Sequence, residues 1–247
     1  LHAAALTLAD LPTDDGLPAQ RLIATGVTNA GAILRLGSLA GPLSTQIAVI
    51  DAEVRSGDLS LDNLGDLAVV NASVPAGNVT LRTSGTLRLG AISSPTGRAT
   101  LIANAIDGHA TLPATINAPA ITMQAGTGGI GQTTALRVDT LLNSRVTIAS
   151  QGNATLTEVA GDLALQTATI DGALDLLVES GGLSSGIISA TQGVTLASLL
   201  GLGTEGALSL TTPELTAQTL GDLNVILNTR DGGTRLGRLF VQGGNRH

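Results

Sequence analysis

A single interval governs this chain. Gly57-Asp58-Leu59-Ser60-Leu61 returns, at a step of 20, as Gly77-Asn78-Val79-Thr80-Leu81 and again as Gly97-Arg98-Ala99-Thr100-Leu101. Gly65-Asp66-Leu67-Ala68-Val69 returns at the same step as Gly85-Thr86-Leu87-Arg88-Leu89. A fixed period of this size is the mark of a solenoid, in which each repeat is one turn of chain stacked on the last. Within the phrase, apolar and polar side chains alternate, as in a half-buried strand, and the glycine opens the strand at a bend. Leu59, Leu61, Val79, Leu81, Ala99 and Leu101 are therefore expected to point inward.

The interior has to be built without aromatics, because the 247 residues include one Phe and no Tyr or Trp. Globular enzymes of this size rely on aromatic rings for much of their buried surface. A narrow solenoid does not, since aliphatic side chains stack on their equivalents in the next coil. The 32 glycines and the 13% content of charged residues fit many tight corners joining short apolar strands. A formal charge of −7, with the arginines scattered, argues against nucleic acid as the main partner, because phosphate binding needs a basic stripe. The chain has no cysteine, so it has neither disulfides nor thiolate metal ligands. No apolar run reaches the ~18 residues of a membrane span, so no membrane insertion is expected. The first residues lack a basic segment followed by an apolar one, and an export signal is expected outside this stretch.

The chain reads as one all-β solenoid over 1–247, with about 20 residues per coil and roughly 12 coils, or ~60 Å of stacked strands. Residues 1–30 read as an irregular entry of loops and short strands, broken by Pro12, Asp14, Asp15 and Pro18. Regular coils follow over 31–101, with Gly31 to Leu36 as an early coil strand and Gly37 in phase with Gly57. Over 102–143 the phase slips, Pro113 and Pro119 enter, and Gly126-Thr127-Gly128-Gly129-Ile130-Gly131 interrupts the strands. This stretch is expected to leave the stack as loops, where function tends to sit. Regular coils resume over 144–241. Gly152-Asn153-Ala154-Thr155-Leu156 steps to Gly172-Ala173-Leu174-Asp175-Leu176 and then to Gln192-Gly193-Val194-Thr195-Leu196, and a second row joins Gly161, Gly181, Gly201 and Gly221. No segment combines helical periodicity, caps and length.

These degenerate Gly-x-Leu-x-Leu phrases, stepped by 20 and poor in aromatics and Lys, resemble the shaft repeats of filamentous-haemagglutinin-type exoproteins of the two-partner secretion class. The resemblance covers about Gly31 to Val241. It implies a right-handed parallel β-helix, a location on the bacterial surface or outside the cell, and a role as a non-enzymatic structural or adhesive shaft. It also implies host or neighbouring-cell receptors or matrix glycans as partners. The family's Asn-rich secretion module is not found in this sequence.

Several motifs invite chemistry, and each lacks its context. Gly126, Gly128 and Gly131 satisfy G-x-G-x-x-G without the helix that would receive a pyrophosphate, so the plain reading is a flexible loop and no cofactor is expected. Gly182-Leu183-Ser184-Ser185-Gly186 satisfies G-x-S-x-G, again without its helix. Ser184 should face outward, and the available bases are His2, His109 and His247. Asp51, Glu53 and Arg55 fall on one side of a strand and carry the enzymatic alternative, a β-helix polysaccharide lyase or hydrolase. Calcium nonapeptides and a Thr-x-Thr rank both fail as regular arrays: one step of 20 beyond Thr155 and Thr157 stand Asp175 and Leu177. Asn71, Asn78 and Asn153 match the glycan-acceptor pattern, with Asn78 and Asn153 exposed after corner glycines. No catalytic, metal or cofactor residue is assigned. A further alternative is a filament subunit stacking end to end on copies of itself, because uncapped strand edges invite pairing.

Overall fold

The computed structural model describes residues 6–11, 19–25, 42–54, 57–109, 114–140, 144–228 and 233–242. Among them every regular element is a β-strand, and no helix is long and apolar enough to cross a membrane. The strands form a parallel solenoid built from two long ladders and two shorter ones. Nine parallel pairings link ten strand segments in the first ladder, from Leu43–Thr45 through Leu59–Asn63, Val79–Thr83, the first half of Arg98–Gly108 and the first half of Ala120–Ile130. It continues through Arg145–Ser150, Ala164–Ile170, Gly186–Ala190, Leu208–Thr211 and Val225–Leu227. The second ladder runs beside it from Ala19–Thr25 to Arg235–Val241. A third runs from Leu67–Ser73 through Thr86–Leu89 and the second halves of Arg98–Gly108 and Ala120–Ile130 to Ala154–Glu158, and a fourth joins Gly182–Leu183, Gly201–Leu202 and Asp222–Leu223 at one corner.

The stack has about nine turns rather than the expected twelve. Nine steps of ~4.8 Å make it roughly 43 Å long. The expected count divides the whole chain by 20, but some coils are longer. Ala99 pairs with Ile121 and Ile121 with Val146, so the steps in sequence number are 22 and 25. At the other end, Leu6–Leu11 runs antiparallel on Ala19–Thr25, which itself lies parallel on Val49–Glu53. The entry thus already belongs to the stack. The coil strand expected at Gly31 to Leu36, and Gly37, lie outside the described residues.

Register in the regular coils follows the period. Leu59 pairs with Val79 and Val79 with Ala99, Leu61 with Leu81 and Leu81 with Leu101, and all six are completely buried. The core is a set of Leu, Ile, Val and Ala rows. Each residue packs on its counterparts one coil above and below, so burial comes from stacking, not from bulky rings. Where the pattern breaks, a bulge absorbs the extra residue. Ile50 pairs with Val69 and Asp51 with Asn71, which leaves Val70 unpaired and 53% exposed.

The polar half of the repeated phrase also has a structural job. At five corners the side chain after the glycine accepts a hydrogen bond from the backbone N–H one coil on. Asn78 N donates to Asp58 Oδ1 (2.7 Å), Arg98 N to Asn78 Oδ1 (2.9 Å), Thr86 N to Asp66 Oδ1 (2.8 Å), Ala173 N to Asn153 Oδ1 (3.0 Å) and Gly182 N to Asp162 Oδ1 (2.7 Å). These N–H groups sit just before a strand or on its first residue, and the short side chains satisfy them. Inward-facing polar residues do the same from within: the Asn63 amide accepts from Ile47 N (2.8 Å) and donates to Ile47 O (3.0 Å). Asp58→Ala, which removes the acceptor for both Asn78 N and Asn78 Nδ2, should cost about 1 kcal/mol in a urea melt. The same change at Asp175, an exposed mid-strand side chain, should cost less than about 0.5 kcal/mol.

Candidate functional site

The most regular outward feature is a column of hydroxyls on the first ladder. Ser60, Thr80, Thr100, Thr122, Thr147 and Thr167 stand in direct register on successive strands. All six are half-exposed, at the ~4.8 Å spacing of paired strands. Cross-strand threonines support each other and the sheet. The column ends where Thr167 meets Ile187, which is 58% exposed. A search at a constant spacing of 20 misses this column, because its steps of 22 and 25 fall in the phase-broken stretch.

The described residues of that stretch form strands of the stack over Arg98–Gly108, Ala114–Asn117, Ala120–Ile130 and Leu136–Thr140. The glycine-rich segment is not a projecting loop: Gly126 to Ile130 lie in the strand Ala120–Ile130. Ala103 pairs with Ala125 but Ala105 with Gly129, so the extra residues form a bulge opposite Asn104. A Cβ on Gly126 would come within 2.8 Å of Asn104 Oδ1, and one on Gly128 within 2.7 Å of Ala105 Cβ. The glycines serve close packing between coils, and a nucleotide cradle would need an open helix N-terminus instead. Beside the bulge lies a shallow groove of about 400 Å³ lined by Gln124, Ala149, Gln151, Thr169 and Asp171. Among the described residues Asp171 is the single ionisable side chain on it, so the groove offers hydrogen bonds but no acid–base pair.

Ser184 is not outward-facing. It is 5% exposed, and its hydroxyl donates to Ser185 O (3.4 Å). The chain turns here, and residues 181–184 are all buried, because strict alternation holds only along a straight strand. His109 is exposed just after Arg98–Gly108, four ladder steps from the strand Gly186–Ala190, or roughly 19 Å along the stack. It cannot serve Ser184 as a base. His2, His247, Pro113 and Arg55 lie outside the described residues. Asp51 and Glu53 do share the outer face of Val49–Glu53, as their spacing predicts. Asn78 and Asn153 are exposed as expected, but their side-chain oxygens are the corner acceptors described above. Asn71 Nδ2 donates to Ala52 O (3.4 Å). Among the described residues no three His, Cys, Asp or Glu come together as a metal site.

Among the described residues two carboxyl groups are buried where no sequence motif pointed: Asp107, which accepts from Thr133 N (3.3 Å), and Glu158. Glu158 closes the strand Ala154–Glu158 on its inward face, in register with Val138 below and Val178 above, and is completely buried. Its carboxylate accepts from Thr140 N (2.9 Å) and Thr140 Oγ1 (2.7 Å). Burial pushes its carboxyl up to about 7, opposed by the bonds from Thr140 and from the Ala160 backbone, while the Asp139 charge adds to the rise. The alternation Ala154, Leu156, Glu158 is the signal in the sequence that could have found it.

Comparisons with known protein families, curated proteins and solved structures find no match to this chain.

Proposed function

We propose that this chain is a non-enzymatic shaft segment of a large bacterial surface or secreted fibrous exoprotein of the filamentous-haemagglutinin type. The observation that carries the reading is the continuity of the stack. Nine parallel pairings run through the first ladder without a break, over an aliphatic core that passes through every coil. Such an object transmits force along its axis and holds whatever it carries at a distance. Its partners are receptors on host or neighbouring cells, or matrix glycans. The hydroxyl column and the adjoining groove offer them weak contacts that gain strength by repetition.

A second reading, a filament subunit stacking on its own copies, is favoured by the last coil. Leu236 and Leu239 continue the buried rows of Leu215 and Ala217, yet are 51% and 37% exposed. A further coil paired with Arg235–Val241 would cover both. Small-angle X-ray scattering separates the readings. A monomer whose stack length stays at about 43 Å at all concentrations supports the shaft, taking ~4.8 Å per step. Mass and length that grow together with concentration replace it with the filament. Turnover of an acidic polysaccharide would overturn both in favour of the lyase alternative.

A further inference from the structure

Glu158 sits at the junction of the irregular and regular coils. The strand Leu136–Thr140 beneath it lies within the step of 25, and a one-residue register shift lies between Val146 and Thr147 on the neighbouring face. Among the described residues no cation reaches the buried carboxylate. The strand below brings Arg137 and Asp139: Arg137 is engaged by Glu179 in a two-pronged pair (2.7 and 2.9 Å), and Asp139 is a like charge. The strand above carries Asp175, exposed on its outer face, with Glu179 just beyond it, and the following corner carries Asp162, exposed and bonded to Gly182 N. Among the described residues the hydrogen-bond partners of the Glu158 side chain are therefore Thr140 and the Ala160 backbone.

Those partners accommodate either protonation state without moving. Thr140 N–H donates to one carboxyl oxygen in both. The Thr140 hydroxyl donates to the carboxylate, and by rotating about its C–O bond it accepts from the carboxylic acid. Burial and, more weakly, the Asp139 charge favour the neutral acid, against the bonds from Thr140 and the Ala160 backbone that favour the carboxylate.

We propose that Glu158 is a protonation-controlled pin, which locks the coils bearing Leu136–Thr140 and Ala154–Glu158 together as the neutral acid and loosens them when it ionises. The carboxyl is raised in the folded chain, so its stabilising contribution is complete below the ordinary glutamate range, near 4.5, and is lost as pH rises through about 7. The joint is firm in mild acid and weak in mild alkali, while the coils on either side are indifferent. This inference depends on the fold alone and not on the fibre reading.

Amide hydrogen exchange at pH 5.5 and 8.0, corrected for the intrinsic rate, tests the proposal. Protection over residues 136–140 and 154–160 should fall roughly tenfold to a hundredfold at the higher pH, a pKa unit being a factor of ten. Residues 79–101 should not change. Glu158→Gln, which keeps the neutral acid's shape and hydrogen bonds, should abolish the dependence. The same dependence in Glu158→Gln, or none in the native chain, would overturn the proposal. If that variant does not fold, the ¹³C shift of the Glu158 carboxyl in the native chain decides: a midpoint near 7 upholds the pin and one near 4.5 sinks it.

Discussion

Val79→Asp should lower the melting temperature by roughly 8–16 °C, the shift expected for a loss of ~4 kcal/mol in a chain of this size. Val79 is completely buried between Leu59 and Ala99, with apolar rows on either side and, among the described residues, no cation in reach. A carboxylate there either stays ionised without a partner or takes up a proton at a large cost in pKa, and both routes fall among the most damaging single changes. The control is the same substitution one residue along. Thr80 occupies the outer face of the same strand, half-exposed, so Thr80→Asp should cost less than about 0.5 kcal/mol. Because a strand's side-chain period is two, a slip of one residue in register would exchange the two outcomes. Far-UV circular dichroism is the suitable probe, since the chain has no Trp or Tyr to report by fluorescence. The damage at Val79 should also ease toward acid pH, where the introduced carboxyl protonates.

Where the interval of 20 is kept, register, burial and strand direction are all legible in the sequence, as the Leu59, Val79, Ala99 row illustrates. The same ruler misleads where the glycines keep the interval and the pairing does not. Gly161, Gly181, Gly201 and Gly221 are evenly spaced, yet Gly201 pairs with Gly182 and with Asp222, so the steps are 19 and 21. A compensated slip leaves no trace in a glycine count. The hydroxyl column is the converse case, a true row concealed by unequal steps. Bulges and long corners change residue number without changing the ~4.8 Å rise, and strand pairing follows the rise. At Ser184 strict alternation fails for another reason, since a corner turns consecutive residues inward. Glu158 was readable as an inward position, but its hydrogen bonds to Thr140 come from a coil 18 residues back and required the fold.

Gly77→Ala should destabilise the chain by about 3 kcal/mol, the upper part of the range for overpacking a filled interior. A methyl at Gly77 would lie 1.8 Å from the Gly57 carbonyl oxygen and 2.6 Å from its carbon, so backbone would meet backbone with no flexible side chain to yield. The two coils must part at this corner, and that strains the bonds from Asn78 N to Asp58 Oδ1 (2.7 Å) and from Leu59 N to Asn78 O (2.9 Å). Gly65 provides the contrast. A methyl there meets nothing within 4 Å, but its φ of +93° belongs to glycine, so Gly65→Ala should cost only about 1–2 kcal/mol. Gly65→Asn should cost less than Gly65→Ala, because asparagine tolerates positive φ, whereas Gly77→Asn should do no better than Gly77→Ala. Two glycines that open the same kind of phrase are thus required for different physical reasons: one gives the backbone a conformation, and the other gives the next coil room to stack. Urea titration of the four variants separates them. Equal losses at 65 and 77 would mean that corner conformation, not contact between coils, sets the tolerance of the repeat.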